Sequence, residues 1–195
     1  MSQAHFQGRF EVEFKYQLTD RPAFLKALLA LNPEIMLEDN LEQDRYFDTP
    51  DDALAQAGKS LAIRTMQPSG IQLLIVKGPE ADRCEAVTIN DADKAVSMLL
   101  TMNYRQILVI TKRRSIYFIG PFHVTLDHLA GIGDFAELAI MTDDEERLPA
   151  FRQQLLALAD QLGLSPDAQE PRSYRALYTR YMQAIHTTQP EDATQ

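Results

Sequence analysis

The chain has 195 residues, 45% of them hydrophobic, with one cysteine and a formal net charge of −9. That length and apolar share suit a single domain with a substantial core. The acidic balance argues against a nonspecific nucleic-acid or membrane-surface binder, which needs a net basic face. The lone Cys84 excludes an internal disulfide and a zinc–cysteine cluster and suits a reducing cytoplasm.

Residues 1–8 are polar, and a strand is expected over 9–18. Within it, Glu11, Glu13 and Lys15 alternate with Phe10, Val12, Phe14 and Tyr16, the period of two that sends charges to one face and apolar groups to the other. Asp20 can cap a helix that has Pro22 in its first turn and Phe24, Leu25, Leu28 and Leu29 on one side; Asn32-Pro33 ends it. An extended run over 41–48 closes on Asp48-Thr49-Pro50, and a short helix ends at Gly58. Strands over 60–67 and 71–77 are joined by Pro68-Ser69-Gly70, and another follows over 83–89 after Gly78-Pro79. A helix starting at Asn90 or Asp91 is expected to bury Ala95, Val96 and Leu99, with Met102 as a further candidate for its buried face. Extended segments return over 104–111, 112–119, 122–129 and 134–141. Asp143 to Glu146 favour a helix start through the macrodipole, and Leu148, Phe151, Leu155, Leu158 and Leu162 keep one face up to Gly163. Ser173 opens a last helix bearing Tyr174, Tyr178 and Tyr181, and from Thr187 onward the composition is that of a disordered polar tail. No apolar run approaches a membrane span, no signal peptide is expected, and there is no internal repeat or glycine-rich phosphate loop. Strands joined by hairpins and outnumbering helices predict an α+β fold: a curled or closed antiparallel sheet with helices outside, as one domain over 1–186.

The charged strand faces carry the chemistry. Lys77 shares its face with Leu73 and Ile75, and Glu137 with Phe135 and Ala139. A lone charge on such a face costs several kcal/mol unless paired. A shared wet cavity solves this for all of them. The expected inward set is Glu11, Glu13, Asp127 and Glu137 against Lys15, Arg64, Lys77, Lys112 and Arg114, a net of +1. Carboxylates are hard ligands for Mg²⁺, and Arg and Lys clamp phosphate oxygens, so the set suits metal-assisted phosphoryl chemistry. His5, His123, His128 and His186 fit no ligand spacing, Cys84 reads as a buried side chain, Arg113 as a surface charge and Arg83 with Glu85 as a structural pair. The tyrosine row reads as packing or a dimer surface rather than an adenine platform.

Glu11-Val12-Glu13-Phe14-Lys15 matches the ExExK signature of the CYTH superfamily, which groups class IV adenylyl cyclases with thiamine triphosphatase-type enzymes. The resemblance continues through Tyr46-Phe47-Asp48-Thr49-Pro50, Leu61-Ala62-Ile63-Arg64, Val76-Lys77-Gly78-Pro79, Cys84-Glu85, Lys112-Arg113-Arg114, Leu126-Asp127, Gly133-Asp134-Phe135-Ala136-Glu137 and Ser173-Tyr174-Arg175, and covers residues 6–182. It implies an eight-stranded antiparallel barrel or tunnel that binds a triphosphate with Mg²⁺ or Mn²⁺, two ions in all. By position, Glu13 and Glu137 resemble the principal metal ligands, helped by Glu11 and Asp127. Lys15, Arg64, Lys77, Lys112 and Arg114 resemble the triphosphate clamp, and Glu13, Lys15, Arg114 and Glu137 the catalytic set. Many relatives have a second acid where this chain has Ala139, a departure from the triphosphatase metal arrangement. The motifs look closest to the bacterial class IV adenylyl cyclases. The implied reaction is attack of the ribose 3′-oxygen on the α-phosphorus of ATP. The expected partners are ATP and a second copy of the chain, with no nucleic acid and no membrane, in the cytoplasm. Two alternatives stand beside it: a hydrolase of thiamine triphosphate or inorganic triphosphate, and a non-catalytic triphosphate-binding module.

Overall fold

The computed structural model describes residues 5–188. In chain order these form β1 (Phe10–Leu18), α1 (Arg21–Ala30), β2 (Glu34–Asp48), α2 (Ala53–Gln56), β3 (Ser60–Gln67), β4 (Gln72–Lys77), β5 (Cys84–Thr88), α3 (Ala92–Thr101), β6 (Arg105–Ile119), β7 (Phe122–Leu129), β8 (Gly133–Thr142), α4 (Leu148–Gln161) and α5 (Tyr174–Thr188). The strands make one antiparallel sheet in the order β1-β8-β7-β6-β2-β3-β4-β5. It curls until its two edges meet. Phe10 bridges to Arg83, the Glu11 amide donates to the Asp82 carbonyl at 2.7 Å, and the Cys84 amide donates to the Arg9 carbonyl at 3.0 Å. The expected α+β barrel with outer helices is the fold observed. It is a sheet rolled onto itself and joined by one bridge rather than by a full ladder.

Local chemistry explains the elements. Asp20 caps α1 by accepting the Ala23 amide at 2.9 Å, and Asp91 caps α3 by accepting the Lys94 amide at 2.8 Å. Gly78 sits at φ +87°, and a Cβ there would collide with the Gly58 carbonyl, so the Val76-Lys77-Gly78-Pro79 run needs a glycine at that turn. Val12 and Tyr16 on the outer face of β1 pack with Phe24 and Leu28 of α1 and with Phe151, Leu155 and Leu158 of α4. Phe47, Leu61 and Ile63 pack with Ala92 and Leu99 of α3.

Three boundaries differ from expectation. β2 begins at Glu34 rather than at residue 41. Register shifts against β6 at Ile35/Leu37 and Leu37/Asn40, with Asp39 at φ +52°, break the alternation that would have revealed it. β6 is one strand of 15 residues, not two segments meeting at residue 112. The polar run Thr111-Lys112-Arg113-Arg114 interrupts its apolar pattern because Lys112 and Arg114 face the interior. Met102 is exposed rather than buried. α5 runs on through Thr188, and the rest of the expected tail lies outside the described residues. Among the described residues, no helix is long and apolar enough to cross a membrane.

Candidate active site

The inner face of the sheet encloses a cavity of about 1110 Å³. Its walls carry Glu11, Glu13 and Lys15 from β1, Arg64 from β3, Lys77 from β4, Lys112 and Arg114 from β6, and Glu137 from β8. The parity argument therefore brings these eight expected residues into one lumen. Asp127 does not line it; it is fully buried behind Arg114. Arg83 and Glu85 form an ion pair outside it, and Arg113 pairs with Asp39 on the exposed side at 3.3 Å.

Arg114 is the hub. Its Nε and Nη2 donate to the two Asp127 oxygens at 2.7 and 2.5 Å, and Nη2 also donates to Glu137 at 2.6 Å. The Tyr174 hydroxyl donates to Asp127 Oδ2 at 2.7 Å. Both Asp127 oxygens are thus already engaged, and the carboxylate works as a brace for Arg114. Lys77 bonds Glu11 at 2.9 Å and lies 3.7 Å from Glu13.

A second acidic row was missed in the sequence. Glu42 and Asp44 of β2 are buried on the lumen side. Asp44 accepts a two-pronged contact from Arg64 at 2.7 and 2.8 Å; Glu42 pairs with Lys112, lies 3.0 Å from Arg64 and 3.6 Å from Arg114. The signal was present: Glu42, Asp44 and Tyr46 alternate within the expected strand, so the same parity test finds them. With them the strands bring six carboxylates, Asp127 included, against five cations, not four against five.

Tyr174 and His123 also belong to the site. Tyr174 packs with Ile110, Leu129 and Phe135, inward residues of three strands, so the start of α5 closes that end of the lumen. The Lys15 and Lys112 ammonium groups lie 4.5 and 4.8 Å from its ring centroid. His123 lines the cavity between Phe118 and Ala139 in the ladder. Helical spacing cannot tell a tyrosine that plugs a barrel from one that packs on its outside, and a lone histidine on a strand carries no motif.

The charges are strongly perturbed. Burial would raise the Glu11 carboxyl, but the Lys77 ammonium overrides it and brings it to about 2. Burial and then the Glu13 charge push Glu137 up to about 7, against the pull of Arg114. Burial holds His123 down at about 4 and lifts Cys84 to about 12, so the first is a neutral imidazole and the second an inert thiol near neutral pH.

The carboxyls facing one another at Glu13 and Glu137 want positive charge between them. Their donors are all oxygen, which suits Mg²⁺ or Mn²⁺. Among the described residues, no three or more His, Cys, Asp or Glu are grouped to hold an ion. Mg²⁺ is commonly bound through one or two carboxylates, with phosphate oxygens and water completing its shell.

Residues 9–174 match the CYTH domain model. The chain is 75% identical over 177 residues to the adenylate cyclase CyaB of Aeromonas hydrophila, covering 91% of this chain and 93% of that protein. A solved structure from Vibrio parahaemolyticus, provisionally named adenylate cyclase, superposes with a TM-score of 0.87 at 52% identity, covering 89% of this chain and 99% of that one. The PH1819 protein of Pyrococcus horikoshii superposes with a TM-score of 0.76 at 25% identity, covering 88% and 99%.

Proposed function

The chain belongs to the CYTH family, and from that premise we propose that it is a class IV adenylate cyclase converting ATP to 3′,5′-cyclic AMP and pyrophosphate. The observation that carries this reading is the enclosed lumen in which cations from four strands, β1, β3, β4 and β6, face carboxylates of β1, β2 and β8. The close likeness to an Aeromonas protein named adenylate cyclase supports the reaction assigned to it.

Lys15, Arg64, Lys77, Lys112 and Arg114 hold the triphosphate. Arg114 presents a planar fork whose orientation Asp127 and Tyr174 fix, so little ordering remains when phosphate arrives. Asp44 and Glu42 do the same for Arg64 and Lys112. Glu13 and Glu137, with Glu11 beside them, would hold a divalent cation; two ions are part of the reading. When bound, such a cation supplies Lewis acidity and charge neutralisation at the phosphate oxygens. In the reaction the ribose 3′-oxygen loses its proton and forms a bond to the α-phosphorus. The bond from that phosphorus to the α,β-bridging oxygen breaks, and pyrophosphate departs with the electron pair. The clamp stabilises the charge that gathers on the leaving group. A cytoplasmic location and pairing with a second copy of the chain belong to the same proposal.

The test is to incubate the protein with ATP and Mg²⁺ or Mn²⁺ and separate the products by chromatography. Cyclic AMP and pyrophosphate in equal amounts support the cyclase. Orthophosphate without cyclic AMP identifies a triphosphate hydrolase. Binding without turnover under either metal identifies a non-catalytic module.

A further inference from the structure

A second concavity lies outside the barrel, along α5. It is a groove of about 860 Å³ between α5 and the first residues of β6, with Asp52 at its rim. Small-molecule sites span about 300–1,000 Å³. Arg175, Thr179, Met182, Gln183 and Thr187 line it from one face of α5, and Arg105, Gln106, Ile107 and Leu108 line it from β6. Of these residues only Arg175 also lines the lumen. Some polar groups of the groove are already engaged. The Thr179 and Thr187 hydroxyls donate to the Arg175 and Gln183 carbonyls, each at 2.8 Å. Arg105 is fixed by Asp52 at 2.6 Å and by the Thr49 carbonyl at 3.3 Å, through Nη2 and Nε, which leaves Nη1 open. Among the described residues, the half-buried Arg175 guanidinium meets no carboxylate, and the Gln106 and Gln183 carboxamides make no hydrogen bond. Two guanidinium groups against the single carboxylate of Asp52 give the groove an excess of one positive charge, on a chain whose net charge is −9. A cation so placed attracts an anion from solution.

The open groups differ in kind, and together they describe a ligand. Guanidinium forks hold phosphate oxygens. A carboxamide sets a donor beside an acceptor, the pairing that the edge of a purine base offers in return. Ile107, Leu108 and the adaptable Met182 thioether supply an apolar surface for the face of a ring. We propose that this groove is a mononucleotide site separate from the lumen: the phosphate lies on Arg175 and Arg105, the base covers Ile107, Leu108 and Met182, and Gln106 and Gln183 bond the base edge. A bare phosphate would leave both carboxamides and the apolar surface unused, and a nucleoside would leave Arg175 without its counter-charge. The inference goes beyond the cyclase reading and does not rest on it. The two sites share one helix, since Tyr174 closes the lumen and Arg175 is the next residue.

Affinities are measured by titration calorimetry with AMP, cyclic AMP, adenosine and inorganic phosphate. The proteins are the wild type, Gln106→Glu, Gln183→Glu, and the lumen variant Arg64→Ala combined with Lys112→Ala. Both glutamines are exposed and lie outside the lumen, so each new carboxylate repels an anion from the groove without disturbing the core. The expected result is that AMP or cyclic AMP binds the wild type at least tenfold more tightly than adenosine or phosphate does. That affinity falls tenfold or more in each groove variant and changes less than twofold in the lumen variant. Tripolyphosphate with Mg²⁺ binds both groove variants within twofold of the wild type, which shows that they are folded. Should the lumen variant not fold, nucleotide binding is measured on the wild type with the lumen saturated by Mg²⁺ and tripolyphosphate, and binding that persists supports the groove. Failure of both nucleotides to bind, phosphate binding as tightly as they do, or losses confined to the lumen variant overturn the proposal. The expected pattern in a protein that makes no cyclic AMP removes the cyclase reading and leaves the groove standing.

Discussion

Arg114 meets Asp127 and Glu137 at once because a guanidinium is a rigid fork with five donors. A lysine is a point charge and cannot reproduce that geometry. Arg114→Lys is expected to cost about 2 kcal/mol of stability, since buried Asp127 loses a charged hydrogen bond, and to lower turnover at least about tenfold. Chemical denaturation and initial rates check both; a variant with wild-type values of each removes the hub. Glu137 sits at about 7 because burial and Glu13 both disfavour its charge. A pair of carboxyls in that state is a place for a cation. Glu13→Ala or Glu137→Ala is therefore expected to lower metal-dependent turnover by about 100-fold or more while the fold survives. Wild-type rates in either variant would end the ligand assignment.

At the scale of elements, the run Tyr46-Phe47-Asp48-Thr49-Pro50 is more than a family signature. Asp48 ends β2 and accepts the amides of Thr49, Leu54 and Ala55 at 2.8, 2.9 and 3.0 Å, which ties the strand to α2. Burial would raise its pKa, but those backbone donors win and hold it below the usual carboxylate value. A depressed folded pKa contributes stability that is present above the unfolded value and lost as pH falls through the folded one. Asp48→Asn is expected to cost about 1–3 kcal/mol at neutral pH. The gap from wild type should narrow in denaturant melts taken progressively below about pH 4. A gap that stays constant over that range would show that the carboxylate charge is not what holds α2. The β2 row of Glu42 and Asp44 is the other element-scale lesson. It could be seen by parity, whereas the start of β2 could not, because bulges erase the period on which such reasoning depends.

At the scale of the molecule, the rolled sheet gathers six carboxylates and five cations into a largely buried interior. Ion pairs of this kind offset one another but lose solvation, so the charged lumen is a weak point of the fold. A ligand that supplies phosphate chain and metal together should repair it. Tripolyphosphate with Mg²⁺ at about 100 times its dissociation constant is expected to add about 2.7 kcal/mol. For a domain of this size that raises the thermal midpoint by roughly 5–10 °C. Arg64→Ala combined with Lys112→Ala should remove more than half of that rise. No rise in the wild type, measured by scanning calorimetry, would show that these cations do not grip a phosphate chain.

Alternation and capping are local, so sequence by itself determined most strands, most helix starts and the inward face of eight charged residues. A side chain on a strand has only two sides to choose from, and its neighbours two positions away decide which. Pairing between distant segments is not local. That Asp127 is held by Arg114 and Tyr174 rather than standing open to a cation was decided only when the sheet rolled up. The same holds for α5 closing one end of the lumen and for His123 packing between Phe6 and Phe118 on its wall. The neighbours that decide these cases lie 13 or 47 residues away for Asp127 and further for others, and distance along the chain carries no information about distance across a barrel.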